Sequence, residues 1–300
     1  MLSATRRPID TSPEAFGQLE SAINLLGDRA ALQAKMAVEG YLFLPGLLNR
    51  DDVLAARRVF AERLAAGGYI DPRFPLMDVV AHPTADCAFM PELAGDNPEL
   101  ARVVYGPQML GFFEQLLGGE VRHFDFTWVR AVAPGRGTDP HMDIVYMGRG
   151  TTKLYTAWTP IGDVPLSMGG LLILERSHRH DRLNENYGKK DVDTFCVNRR
   201  GDDYSDMGGG GNIAAGGRLS RDAVKLRQNL GGRWLTADFT TGDVLVFSMF
   251  TVHTSLDNAS NAIRLSTDTR YQLASEPIDE RWVGEKPIGH GPGAKKGLIC

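Results

Sequence analysis

From residue 121 onward the chain breaks into short strand-like runs separated by turn signals: Val121–Val132, Ile144–Met147, Lys153–Ile161, Gly170–Glu175, Trp234–Phe239, Asp243–Phe247 and Arg264–Leu273. Parallel strands need a crossover, usually a helix, and these runs show no strand-helix-strand alternation. They are therefore expected to pair antiparallel, as a sandwich or barrel rather than a doubly wound sheet. In Val121–Val132 a period of two puts Phe124, Phe126 and Trp128 on one side and His123, Asp125, Thr127 and Val129 on the other. The bulky side is expected to pack on other structure.

The amino-terminal third differs. Residues 14–38 mix polar and apolar types and predict a helix. GYLFLPGLL (Gly40 to Leu48) reads as a strand with a turn at Pro45-Gly46, and Asn49 or Asp51 is placed to cap a helix over DDVLAARRVFAERLAA. Residues 71–95 read as loop, and a helix is expected over about 98–118, ending at Gly118-Gly119. Residues 181–232 break the pattern: they are polar and carry four consecutive glycines, Gly208 to Gly211, then Gly216-Gly217. No Lys-Ser/Thr follows and no strand-loop-helix frame surrounds them, so this is not a phosphate loop. It reads as a lid-like insertion, either a flexible surface segment or a mobile cover over a site. The expectation is one domain over 1–300: a helical extension (1–36), a core (37–275) interrupted by the insertion, and a tail (276–300).

Composition narrows the function classes. A net charge of −4 opposes a nucleic-acid footprint, which needs a basic stripe. No apolar run approaches the ~20 residues of a membrane span, and the first residues lack the apolar stretch of a secretory signal. Three widely spaced cysteines, Cys87, Cys196 and Cys300, make neither a disulfide framework nor a cysteine zinc site, which indicates a reducing, cytoplasmic setting.

With seven histidines and 37 acidic residues in 300, about one His-x-acid triplet arises by chance; the chain has two His-x-Asp, His123-Phe-Asp125 and His141-Met-Asp143. On a strand, residues i and i+2 share a face, so either pair could ligate one metal. His141 follows the turn-rich APGRGTDP, whereas His123 has no such turn before it. The decision lies downstream: His253 follows Gly242-Asp243 and VLVFSM, and eleven residues later comes Arg264 in IRLSTDTRY. Two histidines and a carboxylate make the facial triad of non-haem iron(II) oxygenases, which leaves coordination positions open. An oxidation using 2-oxoglutarate needs two of these for the keto acid and one for dioxygen. It also needs a cation for the far carboxylate, a task suited to a planar, permanently charged arginine.

The order His141-x-Asp143, Trp158, Gly169-Gly170 with LLILERSHR, then Gly242-Asp243, His253 and Arg264, together with the early GYLFLPGLL, resembles the phytanoyl-CoA dioxygenase family over about residues 37–275. The resemblance implies a mainly β protein with flanking helices around a double-stranded β-helix core of the jelly-roll, cupin-like kind. It implies that His141, Asp143 and His253 bind Fe(II) and that Arg264 grips the distal carboxylate of 2-oxoglutarate. It further implies that Ser255 bonds the same carboxylate and that Trp158 lines its pocket. Ser266 shares a strand face with Arg264 and is a second hydroxyl candidate. Thr127, on the polar face of the preceding strand, is a further candidate contact. Some family members replace the carboxylate ligand by a small residue and bind halide. Asp143 is present, so hydroxylation of a small organic substrate is expected rather than halogenation; the alternatives are desaturation or ring closure by the same oxygenase, or a jelly-roll metal protein without 2-oxoglutarate chemistry. Ser167-Met168-Gly169-Gly170 departs from the family's usual Asn-Gly, and no clear upstream lysine or asparagine assists the cosubstrate.

Overall fold

In the computed structural model the described residues are 1–196 and 217–298. Two sheets face each other. The larger runs β4 (Tyr41–Leu44), β11 (Val244–Ser248), β7 (Tyr155–Pro160), β13 (Arg264–Leu273); along its far edge β13 pairs first with β6 (Trp128–Val132) and then with β5 (Val121–His123). All its pairings are antiparallel. The smaller sheet runs β12 (His253–Ser255), β8 (Leu171–Leu174), β10 (Trp234–Thr236), β3 (Phe16–Gln18), with only β3 parallel to its neighbour. The antiparallel double layer expected from the sequence is therefore present.

Parity along the strands decides which side chains meet between the sheets. On β11, Leu245 and Phe247 point inward and Val244 and Val246 outward. Register carries this across the sheet: Trp158 lies opposite Leu245 and Asp268, and Ser266 opposite Arg130 and Pro160. The inward apolar set, Trp158, Phe239, Phe247, Leu171, Ile173 and Leu235, forms one core between the layers. The outward set, including Val129, Ala131, Leu265 and Tyr271, meets the helices and forms a second.

Those helices are α1 (Arg29–Glu39), α2 (Arg50–Ala66), α3 (Pro98–Val104) and α4 (Pro107–Leu117). Asn49 caps α2, its side chain accepting from the amides of Asp51 and Asp52. Gly118 ends α4 in the left-handed conformation at φ 80°. Phe113 of α4 stacks on Tyr271 at 4.0 Å.

Several expectations need correction. The first 36 residues are not a helical extension: β1 (Ser3–Ala4) and β2 (Arg7–Pro8) form a hairpin, β3 joins the smaller sheet, and only 29–39 is α-helical. The helix expected over 98–118 is two, because Pro107 cannot donate into the preceding turn. Val121–Val132 is interrupted between β5 and β6. Ile144–Met147 is not a strand but a short helix, α5. Of the 181–232 insertion, α6 (Asp181–Asn186), β9 (Thr194–Cys196) and α7 (Ala223–Leu230) are described. The run Gly208 to Gly211, on which the lid expectation rested, lies outside the described residues. β9 pairs in parallel with β14 (Lys296–Leu298), so the tail returns to the insertion. Among the described residues no helix is long and apolar enough to cross a membrane.

Candidate metal centre

His253 opens β12, and an isolated antiparallel bridge joins it to His141, each amide donating to the other's carbonyl at 3.0 Å. Two residues on, the chain has turned into α5, and Asp143 stands at its N-cap position with helical φ/ψ. The His-x-Asp geometry therefore comes from a bridge followed by a helical turn, not from a shared strand face. The three side chains are buried, and each offers one ligand atom within 4.8 Å of the others. Nε2 of His141 and of His253 lie 3.8 and 3.7 Å from Asp143 Oδ1.

The remaining atoms of the three are already engaged. His141 Nδ1 donates to the Asp139 carbonyl at 2.8 Å and His253 Nδ1 to that of Thr251 at 3.0 Å, which leaves each Nε2 lone pair free to ligate. Asp143 Oδ2 accepts from Thr156 Oγ1 at 2.5 Å and from Arg270 Nη2 at 3.0 Å, which leaves Oδ1 for a metal. Burial, reinforced by His253, pushes the His141 imidazole down to about 3. Burial likewise lowers His253. For Asp143 burial opposes ionisation, but Arg270, the two imidazoles and the Thr156 hydroxyl outweigh it and hold the carboxyl well below its ordinary range. Two neutral imidazoles and one carboxylate are the donor set that suits a divalent iron with open positions.

Arg264, Ser266, Asp268 and Arg270 all sit on the inward face of β13. Arg264 is 1% exposed and donates through Nη1 to the Gly169 carbonyl. Gly169 is at φ 86°, and a Cβ there would come within 2.6 Å of the Leu256 carbonyl, so the glycine lets this turn pass tightly against the chain after β12. Arg264 Nε, Ser266 Oγ and Trp158 Nε1 are buried with no hydrogen-bond partner. Unpartnered buried polar atoms are rare. Three that can donate, on the inward faces of β7 and β13, fit a buried anion such as the carboxylate of 2-oxoglutarate. Ser255 Oγ, on β12, accepts from Thr138 N at 2.9 Å and keeps its own proton to donate.

Thr127 is not with them. It lies one residue from the inward-facing Trp128, and its hydroxyl meets that of Tyr105 at 2.5 Å on the helix side. The second His-x-Asp is also elsewhere. His123 stacks on Tyr105 at 4.0 Å, and Asp125 accepts from the Gly284 amide. His178 bonds the Ala37 carbonyl and His180 caps α6.

Beside the triad opens a cavity of about 580 Å³, lined among others by Phe126, Trp128, Tyr146, Met147 and Trp282, with Arg130, Arg218, Arg270 and His290. The Arg270 guanidinium lies 4.3 Å over the Trp128 ring. Arg130 pairs with Asp268 at 2.9 Å. Sequence reasoning missed Arg130, Thr156 and Arg270. Arg270 was within reach, since it lies six residues after Arg264 on a strand, hence on the same face. Trp282 and His290 had no signal, because only folding brings the tail to the cavity.

The family model for phytanoyl-CoA dioxygenase (PhyH) matches residues 37–266. The chain belongs to the phytanoyl-CoA dioxygenase family. A 1-deoxypentalenic acid 11-beta-hydroxylase of Streptomyces arenae is 26% identical over 278 residues, covering 87% of each chain. Among solved structures, the non-heme alpha ketoglutarate dependent carbocyclase SnoK from nogalamycin biosynthesis superposes with a TM-score of 0.58 at 19% identity, over 87% of this chain and 89% of that one. EctD from S. alaskensis, solved with 2-oxoglutarate and 5-hydroxyectoine, gives 0.58 at 16% identity, over 99% and 98%. These two likenesses bear on the fold, which is the jelly roll expected from the sequence. Trp282 and His290 lie beyond the residues that the family model matches.

Proposed function

We propose that this protein is an Fe(II)- and 2-oxoglutarate-dependent dioxygenase that hydroxylates a C–H bond of a small, largely apolar organic substrate. The observation that carries this is the conjunction of a buried two-histidine, one-carboxylate cluster with an arginine-centred set of unpartnered donors inside the same roll. His141, Asp143 and His253 would hold Fe(II), which would supply the oxidising chemistry that turns 2-oxoglutarate into succinate and carbon dioxide and takes the hydroxyl oxygen from dioxygen. The protein's part is positioning, charge placement and exclusion of water.

Asp139 and Thr251 fix the imidazole tautomers through their carbonyls, and Thr156 and Arg270 fix the free oxygen of Asp143. Arg264 holds the distal carboxylate of the keto acid, and Ser255, Ser266 and Trp158 supply further donors. Burial and the neighbouring Arg130 lower the Arg264 guanidinium to about 10, which still leaves it charged at neutral pH. The aromatic cavity holds the substrate beside the metal; its volume suits a ligand of a few fused or linked rings. A small organic substrate also accords with a relative named as a hydroxylase of 1-deoxypentalenic acid. The cysteine usage favours work in the cytoplasm.

The test is succinate release from 2-oxoglutarate with Fe(II) and oxygen, in the parent protein and in His141→Ala. Turnover is expected only in the parent; equal turnover in both would sink the assignment.

A further inference from the structure

A second cavity, of about 400 Å³, shares Thr138, Asp139 and Arg218 with the wall of the metal pocket. Its lining residues include four arginines, Arg6, Arg136, Arg218 and Arg221, and two aspartates, Asp139 and Asp257. Arg218 pairs with Asp139 at 3.2 Å, and Arg136 reaches out of the cavity to Asp86 at 2.5 Å. Asp257 is engaged by backbone: its Oδ2 accepts from the Arg6 amide at 2.9 Å. A cleft lined by an excess of one sign focuses potential and concentrates the opposite charge.

The backbone that brings Arg6 there is strained. Thr5 and Arg6 form the two-residue link between β1 and β2, at φ 52° and 61°. Such a link favours Asn-Gly, because side chains with a Cβ resist positive φ. Here the link is pinned on two sides. Asp257 holds the Arg6 amide and donates its own amide to the Ser3 carbonyl, and the Ala223 amide donates to Thr5 Oγ1 at 3.1 Å. A strained turn, tied to the segment two residues past Ser255, thus presents an arginine to a cavity that adjoins the metal pocket.

We propose that this cavity seats an oxyanion, a carboxylate or a phosphate ester, carried by a substrate whose apolar body lies in the metal pocket. The substrate class is then an amphipathic organic acid, oriented by its charged end so that a fixed part of its apolar body faces the metal. Arginine suits this role because its planar fork meets either oxyanion bidentately. The proposal rests on the oxygenase reading of the metal pocket.

The test uses the full chain loaded with Mn(II) and 2-oxoglutarate, with three probes below their micellar concentrations: decanoate, decyl phosphate and decanol. Binding is read by calorimetry or by quenching of tryptophan fluorescence, since Trp128 and Trp282 line the metal pocket. At least one anion is expected to bind about tenfold tighter than decanol. The preferred anion identifies the group. In R6Q/R221Q the preference is expected to fall to about twofold or less while decanol binds as before. Neither residue touches the triad, and R221Q alone should show a partial loss. In the parent protein the preference should shrink as ionic strength rises. Anions that bind no better than decanol, a preference that survives R6Q/R221Q, or one indifferent to salt would each overturn the proposal. Failure of the oxygenase reading is separate, because it would appear as absent 2-oxoglutarate binding whatever the probe.

Discussion

Thr156→Val isolates one hydrogen bond to a ligand of the proposed metal. Thr156 is 1% exposed, and its hydroxyl donates at 2.5 Å to Asp143 Oδ2, the oxygen turned away from the two imidazoles. Valine matches threonine in shape, so the change removes a donor and leaves almost no void. Arg270 remains on the same oxygen at 3.0 Å, so the carboxylate is not stranded. A hydrogen bond to a charged group contributes about 1.5–3 kcal/mol. Part of that is recovered because a bound cation also neutralises Asp143. What is not recovered is orientation: with one anchor instead of two, the carboxylate can rotate and Oδ1 no longer faces both imidazoles by default. Outer-shell losses of this kind lower metal affinity by about 10–100-fold. The assay is Fe(II) or Co(II) binding against a competing chelator, anaerobically, for the parent, T156V and T156S. T156S keeps the hydroxyl and is expected to stay near the parent. If T156V binds metal within about twofold of the parent, the hydroxyl does not orient Asp143 and the reasoning fails.

Three further outcomes follow from other contacts. Ser266 Oγ has no partner, so Ser266→Ala should leave the stability of ligand-free protein unchanged or slightly higher, yet weaken 2-oxoglutarate binding by about 5–10-fold; a destabilised ligand-free variant with unaltered affinity would contradict this. Thr127→Val removes the bond to Tyr105 and should lower stability by about 1 kcal/mol in denaturant melts without touching 2-oxoglutarate affinity, so a loss of affinity would return Thr127 to the site. His141 and His253 are buried with lowered pKa, His141 to about 3. The unfolded chain therefore takes up protons below about pH 6.5 that the folded, metal-free protein refuses, and stability falls with pH by up to ~1.4 kcal/mol per unit for each histidine. Denaturation midpoints at pH 7.5 and 5.0 check this, and equal midpoints would refute it.

Most strand runs, their antiparallel pairing and the face that Ser266 shares with Arg264 were legible in the sequence, because a period of two fixes which side chains share a face and Arg264–Leu273 is regular from end to end. His141, Asp143 and His253 were legible as candidates through spacing, order and the downstream arginine. Local pattern failed where it was ambiguous. Ile144–Met147 is four apolar residues, too short for periodicity to separate strand from helix, and its helical turn sets the position of Asp143. Parity alone could not say which face of β6 looked inward: the polar side holding Thr127 faces the helices, because Val129 and Ala131 share it and pack there. Everything that depends on segments distant in sequence was decided by tertiary structure. Thr156 and Arg270 meet at Asp143 only because β7 and β13 are neighbours in register. Residues 282–290 wall the substrate cavity only because the tail packs back onto it, and Arg6 reaches the arginine-lined cavity only because Asp257, 251 residues away, holds its amide. Sequence fixes what each segment can be, but the identity of a buried group's partner is a long-range choice made by packing.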